Sequence, residues 1–337
     1  MKRATEMSSP SHHRKGGFQN PWPGAKPRGL GSVLKWMLTR SRRTAEKPGG
    51  LLVRSRIATP VPIPERSRVL AVTWIGHSSF LIQCDGLNIL TDPIWSPRAS
   101  PVSFAGPRRL VPAAVPFERL PPIDITLISH DHYDHLDDTT IRNLVTRFPR
   151  MRWSAPLGVA EFLQRRGASH VSELDWWDET EILGITVGCT PARHFSGRYP
   201  WNRNSTLWCG WTLAFARAKV FFAGDTALHP EFVDISRRFG PFDMAILPIG
   251  AYEPRWFMQA VHMDPEDTVS AFQQLISPAP SHGSVMVGSH WGTFQLTDEP
   301  VMEPPRRTAD YWSSAGLEPD RLWIMRHGET RHVAKSD

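Results

Sequence analysis

Short apolar runs begin near Val69 and recur along the chain to about residue 326. Runs of about four to eight apolar residues between Gly, Pro or Asp are typical of strands, and apolar positions three or four apart predict helices. Strands are expected at 70–74, 79–83, 87–90, 123–128, 152–155, 181–189, 207–215, 219–223, 243–248, 284–289 and 321–326. Helices are expected at 137–147, 157–166, 231–238, 265–276 and 306–315. This order predicts a layered α/β or α+β domain.

The N-terminal residues 1–67 have a different pattern. Residues 1–30 are rich in Ser, Pro, Gly and basic residues, and we expect them to be disordered or extended because they cannot bury much apolar surface. Residues 31–43 mix apolar and basic positions, which predicts a short helix that lies on an anionic membrane surface or packs on its own domain. Residues 44–67 are expected to be a linker or surface wrap. The folded domain is therefore expected to span 68–337.

Composition narrows the class of protein. The 337 residues, 40% of them hydrophobic, suffice for one large domain or two small ones. No run approaches the roughly 18 apolar residues of a membrane span, and the N-terminus lacks the apolar stretch of a signal peptide. We therefore expect a cytoplasmic protein, with peripheral attachment to a membrane as the variant. The three cysteines form no C-x-x-C pattern and are interpreted as buried free thiols.

The chain carries a net charge of +6. A positive net charge favours anionic partners such as phosphates, nucleic acid or acidic lipid, but it does not indicate which of them is bound. The 31 prolines indicate long, shaped loops, of which residues 93–121 are the clearest example.

The segment 128–136 (ISHDHYDHL) directly follows a predicted buried strand. It places four candidate metal ligands within six positions: His130, His132, Asp134 and His135. Zinc and similar divalent cations prefer imidazole nitrogen and carboxylate oxygen. His130 and His132 alternate and can share one side of an extended stretch, whereas the other two come one turn later. The segment therefore predicts a site that can serve two ions.

This H-x-H-x-D-H pattern resembles the signature of the metallo-β-lactamase superfamily. The resemblance implies a four-layer αββα sandwich with a binuclear metal site at one edge of its two sheets. It also implies further ligands at the ends of later strands, and the segments CTPARH, FFAGDT and GSHWGT supply His194, Asp225 and His290.

The same resemblance distributes the ligands between two zinc ions. Three residues are assigned to the first ion: His130, His132 and His194. Three are assigned to the second ion: Asp134, His135 and His290. Asp225 is expected to bridge both. Asp134 and Asp225 are therefore also candidate catalytic residues.

Other segments resemble a narrower family, the lipid phosphodiesterases that hydrolyse N-acylphosphatidylethanolamine, and its bacterial relatives. These segments are 20–23 (NPWP), 73–77 (TWIGH), 90–94 (LTDPI), 121–124 (PPID), 174–177 (LDWW), 238–243 (RFGPFD), 248–258 (PIGAYEPRWFM) and 290–294 (HWGTF). The resemblance implies a zinc-dependent hydrolase of the phospholipase D type that releases N-acylethanolamine and phosphatidic acid. The alternatives are a hydrolase of another ester or lactone on the same fold, and a non-catalytic membrane-surface protein.

Residues near the expected metals receive supporting roles. Metal-bound imidazoles need hydrogen-bond partners that fix their orientation, and Asp92, Asp131 and His77 are candidates. His262 resembles a histidine at the active site of the lipid enzymes. It is expected to be catalytic, binding phosphate or giving a proton to the leaving group, unless it is a plain helix-start residue.

Two further residues are candidate substrate contacts. Tyr133 lies between metal ligands in the sequence, and Arg255 could contact a phosphate, unless it pairs with Glu253. The expected partners are a phospholipid substrate, an anionic membrane surface and a second copy of the chain in a homodimer. Nucleic acid is not expected, because no RNA-binding arm is visible in the sequence.

Overall fold

The computed structural model describes residues 10–25, 29–39, 63–199, 201–280 and 283–333. The N-terminal elements are β1 His13–Arg14, β2 Gly17–Phe18 and α1 Leu30–Thr39. The next part contains β3 Ala71–Gly76, β4 Ser79–Cys84, β5 Leu87–Thr91, β6 Ile125–Leu127, α2 Asp138–Arg147, β7 Arg152–Pro156, α3 Ala160–Gln164 and β8 Val171–Leu174. The last part contains β9 Glu179–Ile182, β10 Ile185–Thr190, β11 Gly210–Ala214, β12 Lys219–Phe222, α4 Phe232–Phe239, β13 Met244–Pro248, α5 Arg255–Met258, α6 Pro265–Ile276, β14 Val285–Ser289, α7 Glu303–Ser314, β15 Leu322–Trp323 and β16 Thr330–His332.

Two seven-stranded mixed sheets lie between layers of helices. The first has the order β16-β3-β4-β5-β6-β7-β8, and the second has the order β15-β14-β13-β12-β11-β10-β9. Each sheet contributes strands to a large shared core, and helices cover the outer faces. The predicted four-layer αββα sandwich is therefore confirmed.

Because both faces of the sheets are buried, the strands are continuous apolar runs in the sequence. In β4, Phe80 and Ile82 join the core between the sheets, whereas Leu81 joins a second core with Ile141 and Leu144 of α2. Successive side chains of a strand point to opposite faces, so a strand covered on both sides needs apolar residues at every position. The three cysteines lie buried as free thiols, as expected.

The directions of the strands bring their carboxyl ends to one edge. β5 and β6 are parallel in the first sheet, and β12, β13 and β14 are parallel in the second. β10 runs in the same direction as β12, because each is antiparallel to β11. The loops that follow β5, β6, β10, β12 and β14 are therefore gathered at this edge.

The strand predicted at 181–189 is two strands. β9 and β10 form an antiparallel hairpin whose turn residues, Leu183 and Gly184, have φ values of 53° and 82°. Two successive positive φ values are typical of a tight hairpin turn, which usually carries Asn, Asp or Gly at both positions. Because the first position is a leucine, no turn was predicted here.

Several short elements at the periphery also differ from the prediction. The hairpin β1–β2, the strands β8 and β16 and the helix α5 were not predicted, and the strand expected at 321–326 is limited to β15. α7 begins at Glu303 and not at 306, because Pro304 and Pro305 fit the first turn of a helix, where no amide hydrogen bond is lost. Edge elements bury little surface, so their sequence pattern is weak.

Residues 10–25, which we call the strap, pack on the body of the protein. Of the two alternatives expected for residues 1–30, disordered or extended, disorder does not apply to this part. Nε2 of His12 and Nε2 of His13 each lie 2.7 Å from a carboxylate oxygen of Asp175. The His12 ring also stacks on Trp176 at 4.2 Å. These partners are more than 160 positions away, so composition could not reveal them. The boundary at residue 68 stays a prediction.

The short helix expected near residues 31–43 corresponds to α1. Residues 1–9 and 40–62, with most of the expected linker, lie outside the described residues. Among the residues that the structure describes, no helix is both long enough and apolar enough to cross a membrane.

Trp211 of β11 links the two sheets. Its side chain is fully buried, and its Nε1–H donates to the carbonyl oxygen of Ile128 at the end of β6, at 2.9 Å. We expect Trp211→Phe to lower the free energy of unfolding by about 1–3 kcal/mol, because the buried carbonyl loses its donor. Denaturant unfolding of the purified protein measures this change. Trp201→Phe, at a position that is 81% exposed, serves as the control, and equal unfolding midpoints for the two variants would contradict the prediction.

Candidate metal centre

The seven side chains predicted as metal ligands meet at the sheet edge where the strand ends gather. Four of them follow β6: His130, His132, Asp134 and His135. The other three, His194, Asp225 and His290, follow β10, β12 and β14. The tight turn after β6, in which the amides of His135 and Leu136 both donate to the carbonyl of His132, brings its four ligands to the same side.

Three imidazoles form the first cluster. Nε2 of His130 lies 2.8 Å from Nδ1 of His132, and Nε2 of His194 lies 3.2 Å from the same atom. Zinc–nitrogen bonds are about 2.0–2.1 Å long, so three nitrogens at this spacing can point at one ion. The cluster mixes one Nδ1 with two Nε2 atoms, which the sequence did not indicate.

The second cluster combines carboxylates and imidazoles. Oδ2 of Asp134 lies 3.3 Å from Nε2 of His135 and 3.5 Å from Nε2 of His290. Oδ2 of Asp225 lies 3.2 Å and 3.1 Å from the same two nitrogens, and 3.8 Å from Nε2 of His194. Asp225 therefore stands between the two clusters.

The donor atoms themselves fit a metal centre. Nε2 of His135, Nε2 of His290 and Oδ1 of Asp225 are buried without a hydrogen-bond partner among the described residues. Buried polar atoms without a partner are costly and rare. A set of imidazole nitrogens and carboxylate oxygens aimed at common points is the donor set that transition metals prefer. These residues can therefore hold a metal cofactor.

Electrostatics favour the same conclusion. Burial lowers the pKa of His132 to about 3 and that of His194 to about 4, so both imidazoles are neutral and have a lone pair for a metal. Burial would lower the pKa of His290 too, but the neighbouring Asp225 and Asp134 raise it to about 9. Positive charge is thus stabilised where the two carboxylates converge.

Asp92 and Ser129 fix two of the imidazoles. Nδ1–H of His135 donates to Oδ2 of Asp92 at 2.7 Å. The hydroxyl of Ser129 donates to the same carboxylate at 2.6 Å, and so it accepts from Nδ1–H of His130 at 2.9 Å. His130 therefore presents its Nε2 to the first cluster, and His135 presents its Nε2 to the second. The sequence suggested Asp92 but missed Ser129, whose one signal was its place between the strand and the first histidine.

His77 contacts the second cluster through a carboxylate. Its Nε2–H donates to Oδ2 of Asp134 at 2.8 Å, and its main-chain carbonyl accepts from the amide of His290. The ring of His194 is held in another way, because its Nδ1–H donates to the carbonyl of Val261 at 2.8 Å. The contact with Val261 leaves Nε2 of His194 to face the first cluster, whereas His77 donates to the same Asp134 oxygen that faces His135 and His290.

Asp131 does not orient an imidazole, contrary to the expectation. Its Oδ1 accepts from the amide of Gly197 at 2.6 Å, and burial raises its pKa. It therefore ties the histidine-rich turn to the loop at 195–204. Tyr133 lies on the same side, where its hydroxyl donates to the carbonyl of Arg198. It lines a neighbouring cavity of about 390 Å³ and does not line the one that contains the ligands.

Arg255 is also placed differently from the expectation. Its guanidinium lies 3.0 Å from Asp264 and 2.7 Å from Asp267, and it donates to the carbonyl of His262. The carboxylate of Glu253 accepts from the main-chain amide of Arg255. Arg255 does not line the cavity with the ligands, and its contacts anchor the segment that carries His262. Its role as a phosphate contact stays a prediction.

His262 reaches the centre itself. Its Nε2 lies 4.0 Å from Oδ2 of Asp225, and its ring is 4.9 Å from the ring of His194. Nδ1 of His262 is buried and has no hydrogen-bond partner in the part of the chain that the structure describes. The residue lines a cavity of about 590 Å³ that opens onto both ligand clusters.

The walls of this cavity are largely apolar. The apolar side chains are Trp36, Phe195, Phe257, Met258, Val261 and Leu296. Arg203 adds a cation, with its guanidinium 5.1 Å from the Phe195 ring. Helix α1 supplies Trp36, which stacks on Phe257 at 5.2 Å and donates to Asp298. The cavity therefore offers a metal centre at its base and apolar surface around it.

The chain is similar to a known protein family and to several hydrolases. Residues 87–291 match the model of the "Beta-lactamase superfamily domain" family. An uncharacterized protein of Mycobacterium tuberculosis is 38% identical over 334 residues, covering 96% of this chain and 83% of that protein. N-acyl-phosphatidylethanolamine-hydrolyzing phospholipase D 1 of Caenorhabditis elegans is 38% identical over 246 residues, covering 70% of this chain and 67% of that protein. The structure of Igni18, a metallo hydrolase of Ignicoccus hospitalis, superposes with a TM-score of 0.59 at 23% identity, over 80% of this chain and all of that one.

Ser129→Ala tests the network that orients the imidazoles. We expect the variant to bind divalent metal about 10- to 100-fold more weakly, the usual cost of removing a partner that orients a metal ligand. Competition with a chromogenic chelator measures the affinity. Ser154→Ala is the matched control, because this hydroxyl is also buried but has no hydrogen-bond partner among the described residues. Equal affinities in the two variants would show that Ser129 does not support the site.

Proposed function

Since the chain belongs to the β-lactamase superfamily, we propose that this hydrolytic enzyme is a phospholipase D-type phosphodiesterase that cleaves N-acylphosphatidylethanolamine. The observation that carries the proposal is the pair of ligand clusters at the base of a largely apolar cavity. The 38% identity to a relative named for this activity supports the choice of substrate. The reaction adds water across the phosphodiester and yields phosphatidic acid and an N-acylethanolamine.

We propose that the cofactor is two zinc ions. His130, His132 and His194 would hold the first ion. Asp134, His135 and His290 would hold the second, with Asp225 shared between the two. Once bound, two such ions supply activation of water and neutralisation of charge on the phosphate.

The protein side chains have separate tasks in this proposal. Asp225 sets the separation of the two clusters, because its Oδ2 lies between His194 of the first cluster and His290 of the second. His262 faces the same space, and burial lowers its pKa well below the ordinary value. A neutral imidazole carries one N–H, which can donate a hydrogen bond to a phosphate oxygen or to the oxygen of the leaving alkoxide. The apolar walls suit acyl chains, and Arg203 suits the anionic phosphate.

Attachment to a membrane surface is part of the proposal, because the substrate is a phospholipid. On α1, Leu34 and Leu38 are 59% and 78% exposed, while Trp36 of the same helix lines the cavity. The ammonium of Lys35 lies 5.1 Å from the ring of Trp256, which is itself partly exposed. Exposed leucines beside a cation are typical of surfaces that lie on anionic lipid. The homodimer stays a prediction.

Two substitutions test the catalytic assignment. We expect Asp225→Asn to abolish hydrolysis, because the shared ligand loses its charge. We expect His262→Ala to lower kcat by about 10²- to 10³-fold, the usual cost of removing one hydrogen-bond donor that stabilises charge in the transition state. Release of N-acylethanolamine from N-acylphosphatidylethanolamine by the zinc-loaded protein measures both. His170→Ala changes an exposed histidine and serves as the control. Full activity of Asp225→Asn would refute the shared ligand.

The same assay separates the lipid assignment from its alternative. A wild-type protein that releases no N-acylethanolamine but opens a lactone or cleaves another ester would overturn the phospholipase assignment and leave the metal centre intact. Superfamily membership alone does not fix the bond that is cleaved.

Binding to lipid vesicles tests the membrane surface. We expect the double variant Leu34→Ser/Leu38→Ser to bind vesicles of anionic phosphatidylglycerol at least about 30-fold more weakly than the wild type, because each of the two leucines contributes roughly 1–2 kcal/mol when buried in lipid. Co-sedimentation measures the bound fraction. Leu183→Ser, at an exposed leucine in the β9–β10 turn, is the matched control. Unchanged binding of the double variant would exclude α1 as the membrane contact.

A further inference from the structure

The NPWP segment at residues 20–23 lies in the strap, away from the substrate cavity. None of these four residues lines the cavity that contains the ligand clusters. The strap nevertheless touches the loop that carries His194 and the residues that follow it. We propose that the strap is part of the metal centre and that Asn20 is a positioning residue for His194. The proposal rests on the assignment of His194 to the first ion.

Asn20 holds the backbone of the proposed ligand. Its Nδ2 donates to the carbonyl oxygen of His194 at 2.7 Å and to that of Ala25 at 2.8 Å. One amide group thus joins the loop after β10 to the end of the strap. Because the ring of His194 is fixed separately by Val261, this ligand is held at both its main chain and its side chain.

The strap also pairs with the loop that forms one wall of the cavity. The amide of Phe18 donates to the carbonyl of Asn204 at 2.8 Å, and the amide of Asn204 donates to the carbonyl of Ser196 at 2.9 Å. Gly17 allows this approach, because a Cβ atom there would lie 2.0 Å from the Asn204 carbonyl oxygen. The strap is thereby joined through Asn204 to Ser196, which lines the cavity.

Two sets of side-chain contacts, one on each side of Asn20 in the sequence, hold the strap on the body of the protein. The first consists of His12 and His13 on Asp175, as described above. In the second, Nε1–H of Trp22 donates to Glu231 at 2.6 Å, and the Trp22 ring stacks on His229 at 4.8 Å. These partly buried polar contacts fix the position of a segment that has little apolar surface of its own. Asn20 therefore stands at a fixed place between two anchored points.

Loss of the Asn20 amide should act on one metal ion more than on the other. Only the first cluster contains His194, and the second cluster draws on the turn after β6 and on β14. A partner that orients a metal ligand typically contributes about 10- to 100-fold to metal affinity. A strap that served general stability alone would weaken both ions together.

The experiment uses the full-length protein reconstituted with Co²⁺. Its absorption spectrum reports each bound equivalent, and chelator competition gives the two affinities. We expect Asn20→Ala to weaken one equivalent by about tenfold or more and to leave the other within about twofold. Asn20→Asp should do the same, because a carboxylate has the same shape but donates no N–H. Gln19→Ala, which removes an exposed amide of the strap that donates to Ser11, should leave both affinities unchanged.

Trp22→Phe provides a second route to the same result. It retains an aromatic ring for stacking but removes the hydrogen bond to Glu231, and we expect it to weaken the same equivalent in the same direction. Wild-type affinity for both ions in Asn20→Ala and Trp22→Phe, or an equal loss of both ions, would overturn the proposal. The readout is metal affinity, so it is independent of whether N-acylphosphatidylethanolamine is the substrate.

Discussion

Asp225 places a carboxylate in the middle of five imidazoles, and the rest of the protein is arranged around that contact. Its Oδ2 lies between 3.1 Å and 4.0 Å from the Nε2 atoms of His290, His135, His194, His130 and His262. A buried carboxylate is tolerated only when opposite charge or hydrogen bonds compensate for its lost hydration. The surrounding histidines, and the metal that they can hold, meet this need. The five residues come from four separate loops, so the two sheets must hold those loops in register.

Hydrogen bonds between residues at the strand ends and residues of the site hold these loops in place. Asp92, at the end of β5, fixes His135 directly and His130 through Ser129. Trp211 of the second sheet donates to the last carbonyl before Ser129, which connects the two halves of the sandwich beside the histidine-rich turn. Orientation of the imidazoles is therefore a property of the whole core. The proposed strap contact at Asn20 extends the same principle to the outer side of the His194 loop.

The chemistry of the cavity follows from what surrounds this charged base. Apolar side chains from α1, α5 and the loop after His194 form its walls, and a water-poor surrounding strengthens electrostatic interactions at the base. Of the three residues expected to contact substrate on sequence grounds, His262 lines this cavity, whereas Arg255 and Tyr133 do not. Arg255 is engaged by Asp264 and Asp267, and Tyr133 faces a second cavity. Arg203, which lies on the cavity wall, had no signal in the sequence, because a single arginine in a loop resembles any solvated surface residue.

The sequence predicted a layered α/β or α+β domain and most of the buried strands, because apolar periodicity is a local pattern. Its H-x-H-x-D-H spacing is also a local pattern, and the resemblance of this spacing to the superfamily signature implied the four-layer sandwich. The sequence also named the seven residues that the fold brings together, although their binding of metal stays a prediction. The three-dimensional structure was needed to show which atom of each imidazole faces the centre, that Ser129 and Asp92 are joined by a hydrogen bond, and that the strap packs against the His194 loop. These features depend on contacts between residues far apart in the chain, such as Asn20 and His194, and such contacts leave no periodic trace in a single sequence.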